Sequence, residues 1–149
     1  MSIEQVARQV IDGWESHNLN KVLSVLTDDF VLTGPAPQPL PKEAYAVFQS
    51  VNNEAFPDWS FNAGSAQVDG NRVTYPTQIT GTHTGVLDVS KLGLPVPAIP
   101  ATGKTIKLPA EKLIFTVVGD KVIACHAEVG PHGGMVGILE QLGVQLGAH

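Results

Sequence analysis

Three side chains in this sequence are suited to moving protons: His83, His126 and Glu128. His126 and Glu128 stand two apart in the β-type run Val122 to Val129, so regular alternation puts them on one face with Val122 and Ala124. The same rule groups Val73, Tyr75, Thr77, Ile79, Gly81 and His83 on one face of an earlier run. If both faces line an apolar pocket, Glu128 loses hydration and its pKa rises, which makes it a better base near neutrality. A nearby imidazole then polarises a carbonyl or shuttles a proton, and the chemistry is proton abstraction next to a carbonyl. The plainer alternative is that each histidine is hydrogen-bonded locally and Glu128 lies at a wet strand end. Alternation alone does not choose which face is buried.

The remaining polar candidates read more simply. His132 lies in a glycine-rich loop beside the expected pocket mouth. Glu111 opens an apolar strand, where pairing with Lys112 or Lys104 at the surface is the expectation. Asp29 and Asp58 read as turn and cap residues. Cys125 falls on the opposite strand face from His126, a poor geometry for a Cys-His nucleophile pair. The aromatic residues Trp14, Tyr45, Phe48, Trp59, Tyr75 and Phe115 serve as core or as the wall of a binding cavity. His83, His126 and His132 lack any helical His-x-x-x-His spacing, so no metal is expected. No glycine-rich strand-to-helix loop suits a dinucleotide.

These residues need elements to hold them. Ser2 is a good N-cap, and Ile3, Val6, Val10 and Trp14 recur at helical spacing. A second helix is predicted from about Leu19 to Leu26, then a short strand at Phe30 to Thr33. Gly34 and the prolines at 35, 37, 39 and 41 make an extended loop, and Pro41 opens a third helix running to about Asn52. From Trp59 the pattern turns to strands, over Trp59–Val68, Arg72–Thr84, Thr105–Val118 and Val122–Val129. Asp69-Gly70 and Gly119-Asp120 mark hairpin turns. A last short helix covers Gly137 to Leu142, closed by Gly143. Helices followed by long antiparallel strands predict an α+β layer fold over a single domain, residues 1–149. The proline-containing apolar stretch 86–103 is expected at the cavity rim as a lid or interface, with a strap packed over the core as the alternative.

Composition narrows the partners. The net charge is −5 and the Lys and Arg residues are scattered, so no cationic face exists for nucleic acid. No apolar run approaches the length that crosses a bilayer. With one cysteine and no basic start followed by an apolar stretch, the expected location is the cytoplasm.

In order along the chain, Leu26-Thr27-Asp28-Asp29-Phe30, Phe56-Pro57-Asp58-Trp59, Gly81-Thr82-His83-Thr84-Gly85, Ala101-Thr102-Gly103-Lys104, Gly119-Asp120-Lys121-Val122 and Gly137-Ile138-Leu139-Glu140-Gln141-Leu142-Gly143 resemble the SnoaL-like polyketide cyclase family. That family belongs to the superfamily of nuclear transport factor two and ketosteroid isomerase, and the resemblance covers essentially the whole chain. It implies a curved sheet wrapped by about three N-terminal helices into a cone, an internal pocket, and a homodimer. It also implies metal-free and cofactor-free chemistry on a small hydrophobic carbonyl compound, most often aldol ring closure. The resemblance favours the His83 and His126 faces as the concave ones. The family's catalytic aspartate falls three residues before the glycine matching Gly137, and this chain has Gly134 there. The epoxide-hydrolase pattern of that superfamily is missing too, because Arg72 sits beside a turn rather than between two carboxylates.

Two readings follow. One is a cyclase or isomerase in which Glu128, aided by His126 or His83, replaces the aspartate. The other is a non-catalytic ligand-binding or dimerisation domain that has lost the base. A homodimer is expected on the exposed face of the sheet, whose long β-branched strands need a cover.

Overall fold

Ser2 caps the first helix as its sequence promises. Its hydroxyl accepts from the Gln5 N–H, and the Gln5 side chain accepts from the Ser2 N–H, forming a capping box. The computed structural model describes residues 2–35, 38–93 and 97–144. Helix α1 (Ile3–Glu15) buries Val6, Ala7, Val10, Ile11 and Trp14 along one stripe. Helix α2 (Leu19–Leu23) follows, capped by the Asn18 side chain. It is shorter than predicted, because Leu26 already belongs to strand β1 (Leu26–Thr33). After β2 (Leu40–Pro41), helix α3 (Lys42–Ala55) has Pro41 as its N-cap and runs past Asn52.

The second half supplies β3 (Gln67–Asp69), β4 (Arg72–Thr77), β5 (Thr80–Thr82), β6 (Thr105–Lys107), β7 (Glu111–Val118), β8 (Lys121–Glu128) and helix α4 (Gly134–Gln141). Six strands form one sheet in the order β2-β1-β8-β7-β4-β3, and β5 pairs with β6 apart from it. Every neighbouring pair is antiparallel except β1 with β8, which is parallel. Both predicted hairpins form, β3–β4 and β7–β8. The result is the α+β cone, a curved sheet with helices packed on its inner face.

The predicted strand Arg72–Thr84 is split into β4 and β5, and Thr105–Val118 into β6 and β7, with β5 and β6 leaving the large sheet; two further stretches depart from expectation. Only the end of Trp59–Val68 joins the sheet; the rest makes a single bridge, Ser60 to Thr80, and isolated backbone bonds. Asn62 takes a left-handed φ of 46°, which no regular ladder accommodates, and Pro76 in β4 lacks an N–H to donate. The stretch 86–103 holds a short 3-10 helix (Val89–Leu92), with Leu87 bridged to Ile99. Leu87 and Val89 are fully buried, so this is a strap over the core. Its residues 94–96 lie outside the described residues.

One hydrophobic core runs through the molecule, and Phe30, Phe56 and Phe115 sit in it almost without exposure. Burying each such side chain contributes about 1.5–3 kcal/mol. No helix among the described residues is long and apolar enough to cross a membrane.

Candidate active site

The facing of β7 and β8 decides which side chains meet inside. On β7, Glu111, Leu113, Phe115 and Val117 are buried in strict alternation. Opposite them on β8 lie Ala127, Cys125 and Val122, paired with Leu113, Phe115 and Val117. The step from Cys125 to Val122 spans three residues because Ile123 is extra, a bulge between the Thr116 and Val117 pairs. An unbroken strand would have placed Val122 on the face of His126 and Glu128. The bulge puts Val122 with Cys125 instead, and His126 and Glu128 turn outward.

The inner face encloses an apolar cavity of about 50 Å³ between α1, α3, α4 and the sheet. A water needs roughly 10–15 Å³ measured this way, so the space suits about four waters or one compact organic molecule of similar bulk. Aromatic walls come from Trp14 on α1, Tyr45 and Phe48 on α3, Trp59 and Phe61 after α3, and Phe115 on β7. Met135 and Ile138 of α4, with Pro35, complete the lining.

Glu111 is the one carboxylate among the described lining residues, and it is 6% exposed. Its Oε2 accepts from the Gly134 N–H at 3.3 Å, in the first turn of α4. Burial among apolar walls pushes its pKa up, and the Gly134 bond offsets this only partly. The expected surface pairing with Lys112 or Lys104 does not form: Lys112 faces outward, and the Lys104 ammonium donates to the Leu142 carbonyl. The sequence signal was the alternation Glu111-x-Leu113-x-Phe115-x-Val117, which places the carboxylate on the strand's most apolar face.

Polar hydrogens also line the cavity. Trp14 Nε1–H donates to Tyr45 Oη at 2.7 Å, which fills a lone pair of the phenol and leaves its own proton for another acceptor. Burial drives the Tyr45 phenol far above its ordinary pKa, so it stays a neutral donor. The Gln49 amide donates to Asn53 at 2.8 Å, and Asn53 donates to the Trp14 carbonyl at 2.7 Å, locking α3 to α1. Trp59 Nε1–H is buried with no partner. Cys125 lies on the wall as a thiol held neutral by burial.

The expected meeting of His83, His126 and Glu128 in one pocket does not occur. Glu128 is exposed on the outer face of β8, and His126 beside it shares a 2.7 Å hydrogen bond with Thr33 Oγ1. His83 is buried as its alternation implied, but β4 ends at Thr77 and the chain leaves the large sheet before reaching it. There His83 packs on Phe56 at 5.3 Å, and its Nδ1 accepts from the Thr102 N–H at 3.2 Å; it does not line the cavity. Burial lowers its pKa. Trp14, Tyr45, Phe48, Trp59 and Phe115 all line the cavity as expected of wall residues. Tyr75 and His132 do not. Tyr75 packs edge-on to Phe115 and donates to the Glu4 carbonyl at 3.2 Å, beneath α1. His132 is exposed at a left-handed φ of 67°, with Nδ1 3.3 Å from Glu140. Asp58 behaves as a turn residue: its carboxylate accepts from the Thr82 N–H and hydroxyl, which lowers its pKa. None of the described residues of the 86–103 strap lines the cavity, so the expected placing of this stretch at the cavity is not seen among them. No group of three or more His, Cys, Asp and Glu side chains among the described residues is placed to hold a metal ion.

Comparison with known proteins agrees with this architecture. The family model described as the SnoaL-like domain matches residues 7–125. No curated protein sequence matches the chain. Among solved structures, AclR of Streptomyces galilaeus, a candidate hydroxylase, is 18% identical with a TM-score of 0.73 over 95% of each chain. IdmH of Streptomyces antibioticus, a candidate polyketide cyclase, is 17% identical with a TM-score of 0.71, covering 97% of this chain and all of that one. A protein of ketosteroid isomerase-like fold from Catenulispora acidiphila, in complex with trimethylamine, is 11% identical with a TM-score of 0.66, covering 94% of this chain and 93% of that one. At these identities the likeness is one of fold.

Proposed function

Because this chain belongs to the SnoaL-like domain family, we propose that its cavity catalyses cofactor-independent proton transfer on a small hydrophobic carbonyl compound, with Glu111 as the base. The observation that carries this reading is one carboxylate, raised in pKa by burial, on the wall of an apolar cavity that Tyr45 also lines. Ionised Glu111 takes the proton from the carbon next to the carbonyl. The Tyr45 hydroxyl, oriented by Trp14, donates to the carbonyl oxygen as it gains enolate charge. Returning the proton to another carbon gives isomerisation. Attack of the enolate carbon on a second carbonyl carbon gives aldol closure, and the new alkoxide takes the proton back from Glu111. Enolisation is the step common to both.

Cyclopentanone is a compact enolisable probe, and deuterium exchange at its α-carbons is followed by proton NMR in D2O. Glu111→Gln keeps shape and removes the base, so exchange falls by roughly two to four orders of magnitude. Glu128→Gln, on the outer face, exchanges at the parent rate. If Glu111→Gln matches the parent, the assignment is wrong; if only Glu128→Gln loses exchange, the base lies outside the cavity. The binding-domain reading rests on Gly134 standing where the family's aspartate is implied. It prevails if the parent binds enolisable ketones and exchanges none.

A further inference from the structure

One amide on the cavity wall has its two ends sorted by the chain itself. The Trp14 carbonyl lies 2.7 Å from the Asn53 side chain, and a carbonyl can only accept, so Asn53 presents its nitrogen there. The Asn53 oxygen then faces Gln49, which must present its own nitrogen, at 2.8 Å. Each amide orientation follows from the one before. The end left over is Gln49 Oε1.

That oxygen is open to a ligand. Gln49 lines the cavity and is 4% exposed, while Asn53, to which its nitrogen turns, is no part of the lining. Among the described residues nothing donates to Oε1, and the atom is not fully occluded. Gln49 stands one helical turn after Tyr45 on α3, and Tyr45 lines the same cavity. Residues four apart on a helix are neighbours on one face, with Cβ atoms about 5–6 Å apart. One ligand can therefore accept from the Tyr45 hydroxyl and donate to Gln49 Oε1. An ammonium group would be costly to bury among apolar walls, so the matching donor is a neutral hydroxyl.

We infer that Gln49 Oε1 is the specificity-determining acceptor of the cavity, selecting ketones that carry a hydroxyl on the β-carbon. This rests on the reading of the cavity as a carbonyl site and names the class it takes: β-hydroxy ketones, the connectivity that aldol closure produces. The bound ketone need not react, so the test is a binding experiment. 4-Hydroxybutan-2-one and pentan-2-one match atom for atom, with a hydroxyl in place of a methyl group. Met135 lines the cavity and the chain has two methionines, so carbon-13 methyl labelling gives a cavity signal, assigned by Met135→Leu, that either ketone should move. In a cavity with no acceptor the hydroxyl would lose its hydration uncompensated, and pentan-2-one would bind more tightly. The parent is expected to bind the hydroxyketone at least as tightly as pentan-2-one. Gln49→Leu should weaken hydroxyketone binding about tenfold and leave pentan-2-one binding within about twofold.

The inference is overturned if the parent prefers pentan-2-one, if neither ketone binds, or if Gln49→Leu keeps the parent's ratio of affinities. Should Gln49→Leu not fold, the parent's ratio decides alone. A parent that favours the hydroxyketone but exchanges no α-hydrogen of cyclopentanone sinks the catalytic proposal and leaves this one standing. Exchange together with a preference for pentan-2-one does the reverse.

Discussion

The backbone N–H of Gly134 donates to the Glu111 carboxylate at 3.3 Å, across from β7 to the first turn of α4. Gly134 occupies the position where the family resemblance implies a catalytic aspartate. In this chain that position supplies a main-chain donor, and the base we propose, Glu111, comes from the neighbouring strand β7. Gly134 has a left-handed φ of 62°, which a side chain would strain.

Glu111 should set the pH dependence of both rate and stability. A base must be ionised, so exchange should rise with pH and level off, with its midpoint above the ordinary value of 4.5. Stability moves the other way. The unfolded chain releases the Glu111 proton first as pH rises, so its contribution is full below about 4.5 and is lost as pH climbs through the raised folded value. Melting curves of parent and Glu111→Gln across that window should diverge in favour of the variant. A divergence in favour of the parent contradicts the raised pKa.

Gly133→Ala should disturb the site without disturbing the fold. Gly133 has an ordinary φ of −99°, so alanine fits the backbone. Its new Cβ would lie 2.7 Å from Glu111 Oε2 and 2.7 Å from a Val129 methyl, so the carboxylate must shift. We expect α-exchange to fall about ten- to a hundredfold, since misplacing a reacting group by 1 Å costs on that order. Exchange at the parent rate would show that the carboxylate position is not critical.

Tyr45→Phe removes the acceptor of the buried Trp14 indole. The orphaned N–H should cost about 1–3 kcal/mol in urea unfolding. Because the two residues share one hydrogen bond at 2.7 Å, Trp14→Phe with Tyr45→Phe should cost less than the two single losses added together. Strict additivity would mean that the bond contributes nothing.

Met135 of α4 should limit the size of the molecule the cavity takes. Met135→Ala should enlarge the cavity of about 50 Å³ at about 2–5 kcal/mol of stability, and 1-indanone should bind the variant but not the parent. Equal indanone binding by parent and variant would place the size limit elsewhere.

A homodimer is expected on the outer sheet face, where Ile114, Thr116 and Val118 of β7 point away from the cavity. Ile114→Lys should shift sedimentation from dimer to monomer. A parent that sediments as a monomer at micromolar concentration defeats this expectation.

The sequence displayed the fold more plainly than the site. Helical periodicity, the Ser2 cap and the two hairpin turns report local preferences, and each shows in the observed elements. The inside and outside of β8 were also partly legible, since Ile123, Cys125, Ala127 and Val129 are uniformly apolar while the other face carries His126 and Glu128. What no local pattern carried was the bulge at Ile123, which depends on pairing with β7, and the arrival of α4 over Glu111. Both are tertiary events: the first sets the facing of Val122, and the second closes over Glu111.

The parallel pairing of β1 with β8 bears on how the chain is made. Thr27 and Val122 are 95 residues apart, yet they meet in the middle of the sheet. During synthesis, β1 emerges early with only β2 and α3 to pack against, and its other edge waits until β8 has left the ribosome. High contact order slows such closure, and an unpaired apolar strand is where aggregation begins. Slow translation between β1 and β8 would prolong that exposure, and destabilising the late β7–β8 hairpin should lower soluble yield more than its effect on the finished protein's stability suggests.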